Sequence, residues 1–137
     1  LRLVLELLPP PASRPLPQAL AFVPPLAHPN VGVLVDALHL VRSGGTPVDV
    51  AALDAGVVPY LQLCDAPATL DDTSPMGLIH EALHTRLLPG EGDLPLQALL
   101  DAAPGVPVSF EQRSIALRER YPDPVERARA VLASVLR

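Results

Sequence analysis

Apolar residues gather in four short runs, at residues 1–8 (broken by Arg2 and Glu6), 31–35, 57–63 and 106–110. Each is rich in Val and Leu, and none alternates cleanly between apolar and polar. That is how a strand covered on both faces reads, which favours a parallel sheet under helices over an antiparallel one. Periodicity alone does not separate such runs from short helical pieces, so the segments between them decide. Thr46-Pro47-Val48-Asp49 supplies an N-cap, a Pro at the first helical position and an acid in the first turn, predicting a helix to about Asp54. Asp93 is placed to cap a helix over 94–103 that ends at Pro104-Gly105. Asp123-Pro124-Val125-Glu126 reads as an Asp version of the capping box. The helix it opens runs to about Leu136, with Val125, Ala128, Val131, Leu132 and Val135 as one apolar stripe. Residues 16–27 read as a helix cut short by Pro24 and Pro25.

The resulting order, β-α-β-α-β-α-β-α, implies right-handed βαβ units and a parallel α/β sheet. Two closures satisfy it: an open doubly wound sheet, or a stretch of an eight-stranded barrel. A barrel of about 250 residues holds eight such units. A chain of 137 residues with four therefore predicts half of a (β/α)8 TIM barrel. The chain also opens on Leu1 inside an apolar run, which reads as a start cut within a longer protein.

Composition narrows the function classes. With 49% apolar residues the chain is no disordered tail. Its ten basic residues are all Arg, and against fifteen acids they leave a net charge of −5, a poor match for nucleic acid. No stretch approaches the ~18 consecutive apolar residues of a membrane-spanning helix, and there is no basic-then-apolar leader. The single Cys64 forms no internal disulfide and suits a reducing compartment, so a cytoplasmic location is expected.

The informative feature is the polar residue that ends each run. Glu6, Asp36, Gln62 (followed by Asp65) and Glu111 fall at the carboxyl ends of the four predicted strands. Parallel strands put those ends on one rim, where α/β folds bind ligands. Three carboxylates and an amide oxygen make an all-oxygen set suited to Mg²⁺ or Mn²⁺ rather than Zn²⁺. An acid after a strand commonly caps the next helix or pairs with an Arg. Four at the same end of successive strands exceed that ordinary use, and crowded carboxylates call for a compensating cation.

At these residues the chain resembles the xylose isomerase-like TIM-barrel superfamily, the sugar phosphate isomerase/epimerase group, as strands five to eight of such a barrel. The resemblance rests on Leu3-Val4-Leu5-Glu6, Val35-Asp36-Ala37-Leu38-His39, Gln62-Leu63-Cys64-Asp65-Ala66-Pro67, Arg86-Leu87-Leu88-Pro89-Gly90-Glu91-Gly92 and Ser109-Phe110-Glu111. It implies that Glu6 and Glu111 both hold the metal and move the proton, with Asp36 as third ligand. His39, three residues on, is implied to contact substrate oxygens. Gln62 stands where many members have a metal-binding His, and the hydroxypyruvate-isomerase-like branch is similar in using Gln there. Arg86 resembles the arginine that binds substrate hydroxyl or carboxylate oxygens beside the Pro-Gly-x-Gly turn.

The implied activity removes a proton alpha to a carbonyl of a small sugar or keto-sugar, giving an enediolate. A divalent cation (Mn²⁺ or Mg²⁺) stabilises the developing charge, and a carboxylate on each face serves as base and acid. Expulsion of a beta hydroxyl from the same enolate yields a dehydratase instead, as in the inosose and 3-dehydroshikimate dehydratases of the superfamily. A reading from another class is a truncated half-barrel without catalysis, whose open strand edges invite a second copy and hence a homo-oligomer.

Other local signals compete. His80-Glu81-Ala82-Leu83-His84 is an H-E-x-x-H match, which would make a zinc metalloprotease. Arg86 falls where such helices usually stay apolar, and no third ligand follows beyond Glu91 or Asp93. Ser43-Gly44-Gly45-Thr46 could cradle a phosphate, but without a Lys it reads as a turn into a capped helix. Cys64 reads as a small core residue. Arg113, Arg118 and Arg120 read as a solvated helix face.

Overall fold

A computed structural model describes residues 1–6, 8, 28–54 and 56–135. Four strands, β1 (Leu3–Glu6), β2 (Val31–Asp36), β3 (Leu61–Leu63) and β4 (Val108–Phe110), form one sheet in the order β1-β2-β3-β4. Every neighbouring pair is parallel. This order decides between the two closures. A doubly wound sheet reverses its strand order partway. Consecutive parallel strands joined by right-handed crossovers instead keep their helices on one face and leave the other concave. The architecture is four parallel strands alternating with helices, the arrangement of half a TIM barrel.

The two faces of the sheet differ accordingly. Val33, Val35, Leu61 and Leu63 point to the helix layer and form its core with Leu38, Leu40, Val50, Leu94 and Leu99. Val4, Glu6, Leu34, Tyr60, Gln62, Ser109 and Glu111 line an open hollow of about 660 Å³ on the other side. Leu3 and Leu5 of β1 are exposed. The helix expected over residues 16–27 lies outside the described residues.

Among the described residues there are six helices: α1 (Ala37–Arg42), α2 (Pro47–Ala51), α3 (Pro75–His84), α4 (Leu96–Ala102), α5 (Ile115–Arg120) and α6 (Pro124–Val135). The Thr46 box at α2 forms as expected: Thr46 Oγ1 accepts from the Asp49 backbone, and the Asp49 carboxylate accepts from the Thr46 N–H at 2.8 Å. Gly44 supplies the left-handed turn (φ 78°) before it. At α6, Asp123 Oδ1 accepts from the backbone of Val125 and Glu126.

Two expectations need correction. Asp93 does not cap α4, which begins at Leu96 without a side-chain cap. Its carboxylate accepts from the Ala68 N–H instead, at 3.1 Å. The α6 stripe is not a buried face. Only Val131 is buried, in a small cluster with Leu88 and Leu117 bordered by Phe110 and Tyr121, while Val125, Leu132 and Val135 are exposed. No described element covers the rest of that stripe.

Asp65, just past β3, organises the next loop. Its Oδ1 accepts from Ala66 (2.9 Å) and Leu94 (3.0 Å), and its Oδ2 accepts from Gly90 (2.9 Å), all backbone N–H groups. A methyl group on Gly92 would overlap the Ala66 carbonyl and Asp65 Oδ1, so this approach requires glycine. The Asp65 backbone also exchanges hydrogen bonds with Leu87 in a short antiparallel bridge. The Pro-Gly-x-Gly turn is thereby anchored, and neighbouring Arg86 is held beneath the rim. Asp65→Asn turns an amide NH₂ against at least one of these donors and should cost about 1–3 kcal/mol. A urea midpoint equal to that of the parent protein would show the carboxylate to be dispensable.

Candidate functional site

The register explains how distant polar residues meet. Asp36 pairs with Gln62, and Gln62 with Ser109, so all three share one level and one face. Glu6 pairs with Leu34, two residues short of Asp36, and Glu111 lies two residues beyond Ser109. The carboxylates are therefore staggered along the rim. Glu6 and Glu111 come from the outer strands and both line the hollow, one at each side.

Asp36 also caps α1, its Oδ1 accepting the His39 N–H at 3.0 Å. Capping fixes the Asp-x-x-His spacing. The third helical residue sits over the N-terminus, and its side chain leans back toward it. His39 is 3% exposed, and its Nε2 lies 3.9 Å from Glu6 Oε1. One ligand atom from each of Glu6, Asp36 and His39 lies within 4.8 Å of the others, among the described residues the only such cluster that could hold a metal ion.

Arg86 sits behind this cluster, 2% exposed. Its Nη1 donates to Asp36 Oδ2 (2.7 Å) and Cys64 Sγ (3.2 Å), and its Nε to the Ala82 carbonyl (2.9 Å). Its Nη2 meets Glu111 Oε2 at 3.0 Å and His39 Nε2 at 3.3 Å. Gln62 Nε2 donates to the same Glu111 oxygen at 2.7 Å. The six expected residues thus lie in one network. Glu6, Asp36 and His39 cluster tightly, whereas Glu111 and Gln62 are drawn together on Arg86.

The electrostatics follow from this crowding. Three carboxylates face one guanidinium, an excess of negative charge. Burial raises the Glu6 pKa above its usual value, and Asp36 and Glu111 push it further against the pull of Arg86. Burial lowers the His39 pKa, with Asp36 opposing and Arg86 assisting, so the ring favours its neutral form. Burial of Cys64, with Asp36 adding, pushes its thiol up to about 12, consistent with an inert core residue. Acidic oxygens and a neutral imidazole in a negative pocket fit a divalent cation.

The H-E-x-x-H reading fails on geometry. Glu81 is 2% exposed and takes a two-pronged bond from Arg42, Nε to Oε2 at 2.8 Å and Nη2 to Oε1 at 2.7 Å. Both oxygens are engaged in pinning α3 to α1, which leaves no general base for a zinc-bound water. Among the described residues His80 and His84 have no third ligand beside them. What α3 contributes is Arg86, two residues beyond its end.

Over residues 1–134 the sequence matches the xylose isomerase-like TIM barrel family. No curated protein matches it. An IolI protein with a binding zinc atom is similar in fold, at 22% identity and TM-score 0.76, covering 98% of this chain and 48% of its own. A xylose isomerase-like TIM barrel/4-hydroxyphenylpyruvate dioxygenase fusion protein gives 24% identity and TM-score 0.79, covering 99% of this chain and 21% of its own. A xylose isomerase domain protein from Alicyclobacillus acidocaldarius subsp. acidocaldarius gives 27% identity and TM-score 0.58, over 93% of this chain and 52% of that one. The chain spans about half the length of the first and third. Among the described residues no helix is long and apolar enough to cross a membrane.

Proposed function

Since the chain belongs to the xylose isomerase-like TIM barrel family, we propose that it forms the C-terminal half of a barrel that isomerises or epimerises a small sugar or sugar phosphate. The observation that carries this reading is the meeting of Glu6, Asp36, His39 and Glu111 around Arg86 at the carboxyl ends of four parallel strands. That rim is where barrel enzymes place their chemistry.

Glu111 takes the proton alpha to the substrate carbonyl. Its contacts with Arg86 and Gln62 both fall on Oε2 and hold the carboxylate in orientation. Glu6 works from the far side of the hollow, and its raised pKa suits it to return a proton. Two carboxylates flanking a planar enediolate permit removal on one face and return on the other. His39 and Arg86 contribute contacts to substrate oxygens by their likeness to the family, beside their observed role of fixing the carboxylates.

Glu6 and Asp36, with Gln62 and Glu111 completing an all-oxygen set, would hold a divalent cation (Mn²⁺ or Mg²⁺), which would stabilise negative charge on the substrate oxygens. The zinc of the IolI structure is compatible with divalent chemistry on this fold.

The reading is tested by incubating the intact protein in D₂O with a panel of ketoses, ketose phosphates and keto-sugars. Deuterium is expected at the carbon alpha to the carbonyl, and chelation of the metal should abolish it. Absence of exchange across the panel from metal-loaded protein would overturn the assignment. Loss of water without rearrangement would indicate the dehydratase outcome instead.

A further inference from the structure

We infer that Glu81 and Arg42 are a positioning pair: by tying α3 to α1 they set where the Arg86 guanidinium stands and, through it, how Glu111 is aimed. The inference rests on the isomerase reading for its effect on turnover. It goes beyond that reading in giving the Glu of the H-E-x-x-H match a task.

The pair is built to hold a distance. Both side chains are buried, 8% and 3% exposed, and the guanidinium meets the carboxylate on two prongs at 2.8 and 2.7 Å. Two charge-assisted bonds in parallel fix orientation as well as separation. The same Arg42 donates to the Pro67 and Ala68 carbonyls, at 2.8 and 3.3 Å, so the loop leaving β3 is gripped too. Neither Glu81 nor Arg42 lines the hollow, so any effect on the chemistry passes through another side chain.

That side chain is Arg86. Glu81 is followed by Ala82, whose carbonyl lies in the last turn of α3, where backbone acceptors lack helical partners. Residue 86 is four positions on, but its backbone N–H turns to the Arg113 carbonyl at 3.2 Å. Its side chain serves Ala82 instead, Nε donating to that carbonyl at 2.9 Å. The seat of Arg86 is therefore the end of α3. On the far side of the guanidinium, Nη1 meets Asp36, and Nη2 meets His39 and Glu111. Asp36 caps α1, and His39 and Arg42 lie three residues apart on one side of that helix. The two helices are thus linked twice, through Arg86 at the start of α1 and through Glu81–Arg42 at its end. With the second link gone, α3 is free to pivot about the Arg86–Asp36 contact. Nη2 then shifts against Glu111, whose Oε2 it holds at 3.0 Å. A displacement of about 1 Å at a proton-transfer group costs up to roughly a hundredfold in rate.

Arginine side-chain NMR of the intact protein reads this directly. In Glu81→Gln, which keeps the shape and one acceptor oxygen, the Arg86 Nε–H signal is expected to shift. Its exchange with solvent should be at least about tenfold faster. Arg42→Lys keeps the charge but loses the fork; it should reproduce the effect, and it stands in if Glu81→Gln does not fold. The double variant should change the signal no more than either single one. All are compared where urea melts show them fully folded, so that lost stability by itself leaves the Arg86 signal in place. Deuterium incorporation from D₂O into the reactive ketose should fall about 10–100-fold in the same variants. An unchanged Arg86 signal in a folded variant makes the pair a plain strut and overturns the inference, as does undiminished incorporation. If the wild type incorporates no deuterium, the isomerase reading fails, and the Arg86 signal alone decides the positioning.

Discussion

Arg86→Met is expected to destabilise the protein by about 3–5 kcal/mol, the cost of removing one partner from a buried ion pair. Asp36 is fully buried, and its Oδ2 has the Arg86 guanidinium at 2.7 Å. Met preserves most of the apolar stem but strands the Asp36 charge and withdraws the cation from Glu111. Adding Asp36→Asn to this variant should recover a substantial part of the loss. The amide keeps the oxygen that caps α1 and abolishes the orphaned charge. The cycle of Arg86→Met, Asp36→Asn and the double variant, compared by urea midpoints, measures the coupling. Strict additivity would show that the guanidinium acts through packing and not through Asp36.

Glu111→Gln should lower turnover of the intact protein by about 10²–10⁴-fold, the usual contribution of a positioned acid or base, with the fold largely intact. The amide oxygen can still accept from Arg86, and the site is partly open, so little structural energy depends on the charge. The same variant should lose deuterium exchange in proportion to turnover, because both require proton abstraction. If cation binding is unaffected while exchange disappears, Glu111 acts on the proton. If exchange persists at the parent rate, Glu111 has no part in the chemistry.

Much of the architecture was legible because it rests on local signals. The four apolar runs, the Thr46-Pro47 start of α2 and the Asp123 start of α6 depend on neighbouring residues alone. Placement of Glu6, Asp36, Gln62 and Glu111 on one rim followed from strand direction. The stagger between strands did not, because register comes from packing of the whole sheet. That stagger lowers Glu6 below Asp36 and raises Glu111 above Gln62. Asp93 and Asp65 show a second limit. Both precede segments that need backbone acceptors, and only tertiary contact reveals that Asp65 serves the Gly90 turn while Asp93 turns to Ala68. The α6 stripe shows a third, since periodicity finds an apolar face but not what lies against it. Asp36 carried two signals at once. As an acid at a strand end it suggested coordination, and three residues before His39 it was also the cap of α1.

The Asp65 anchor has a kinetic meaning. Loops at the mouths of many enzymes must order themselves around each incoming molecule, so each encounter loses conformational freedom. Here three backbone donors are already committed to one carboxylate, and the Arg86 guanidinium is held by Asp36, His39, Cys64, Ala82 and Glu111. The entropy of arranging that charge is lost once, during folding, and not at each encounter with a ligand.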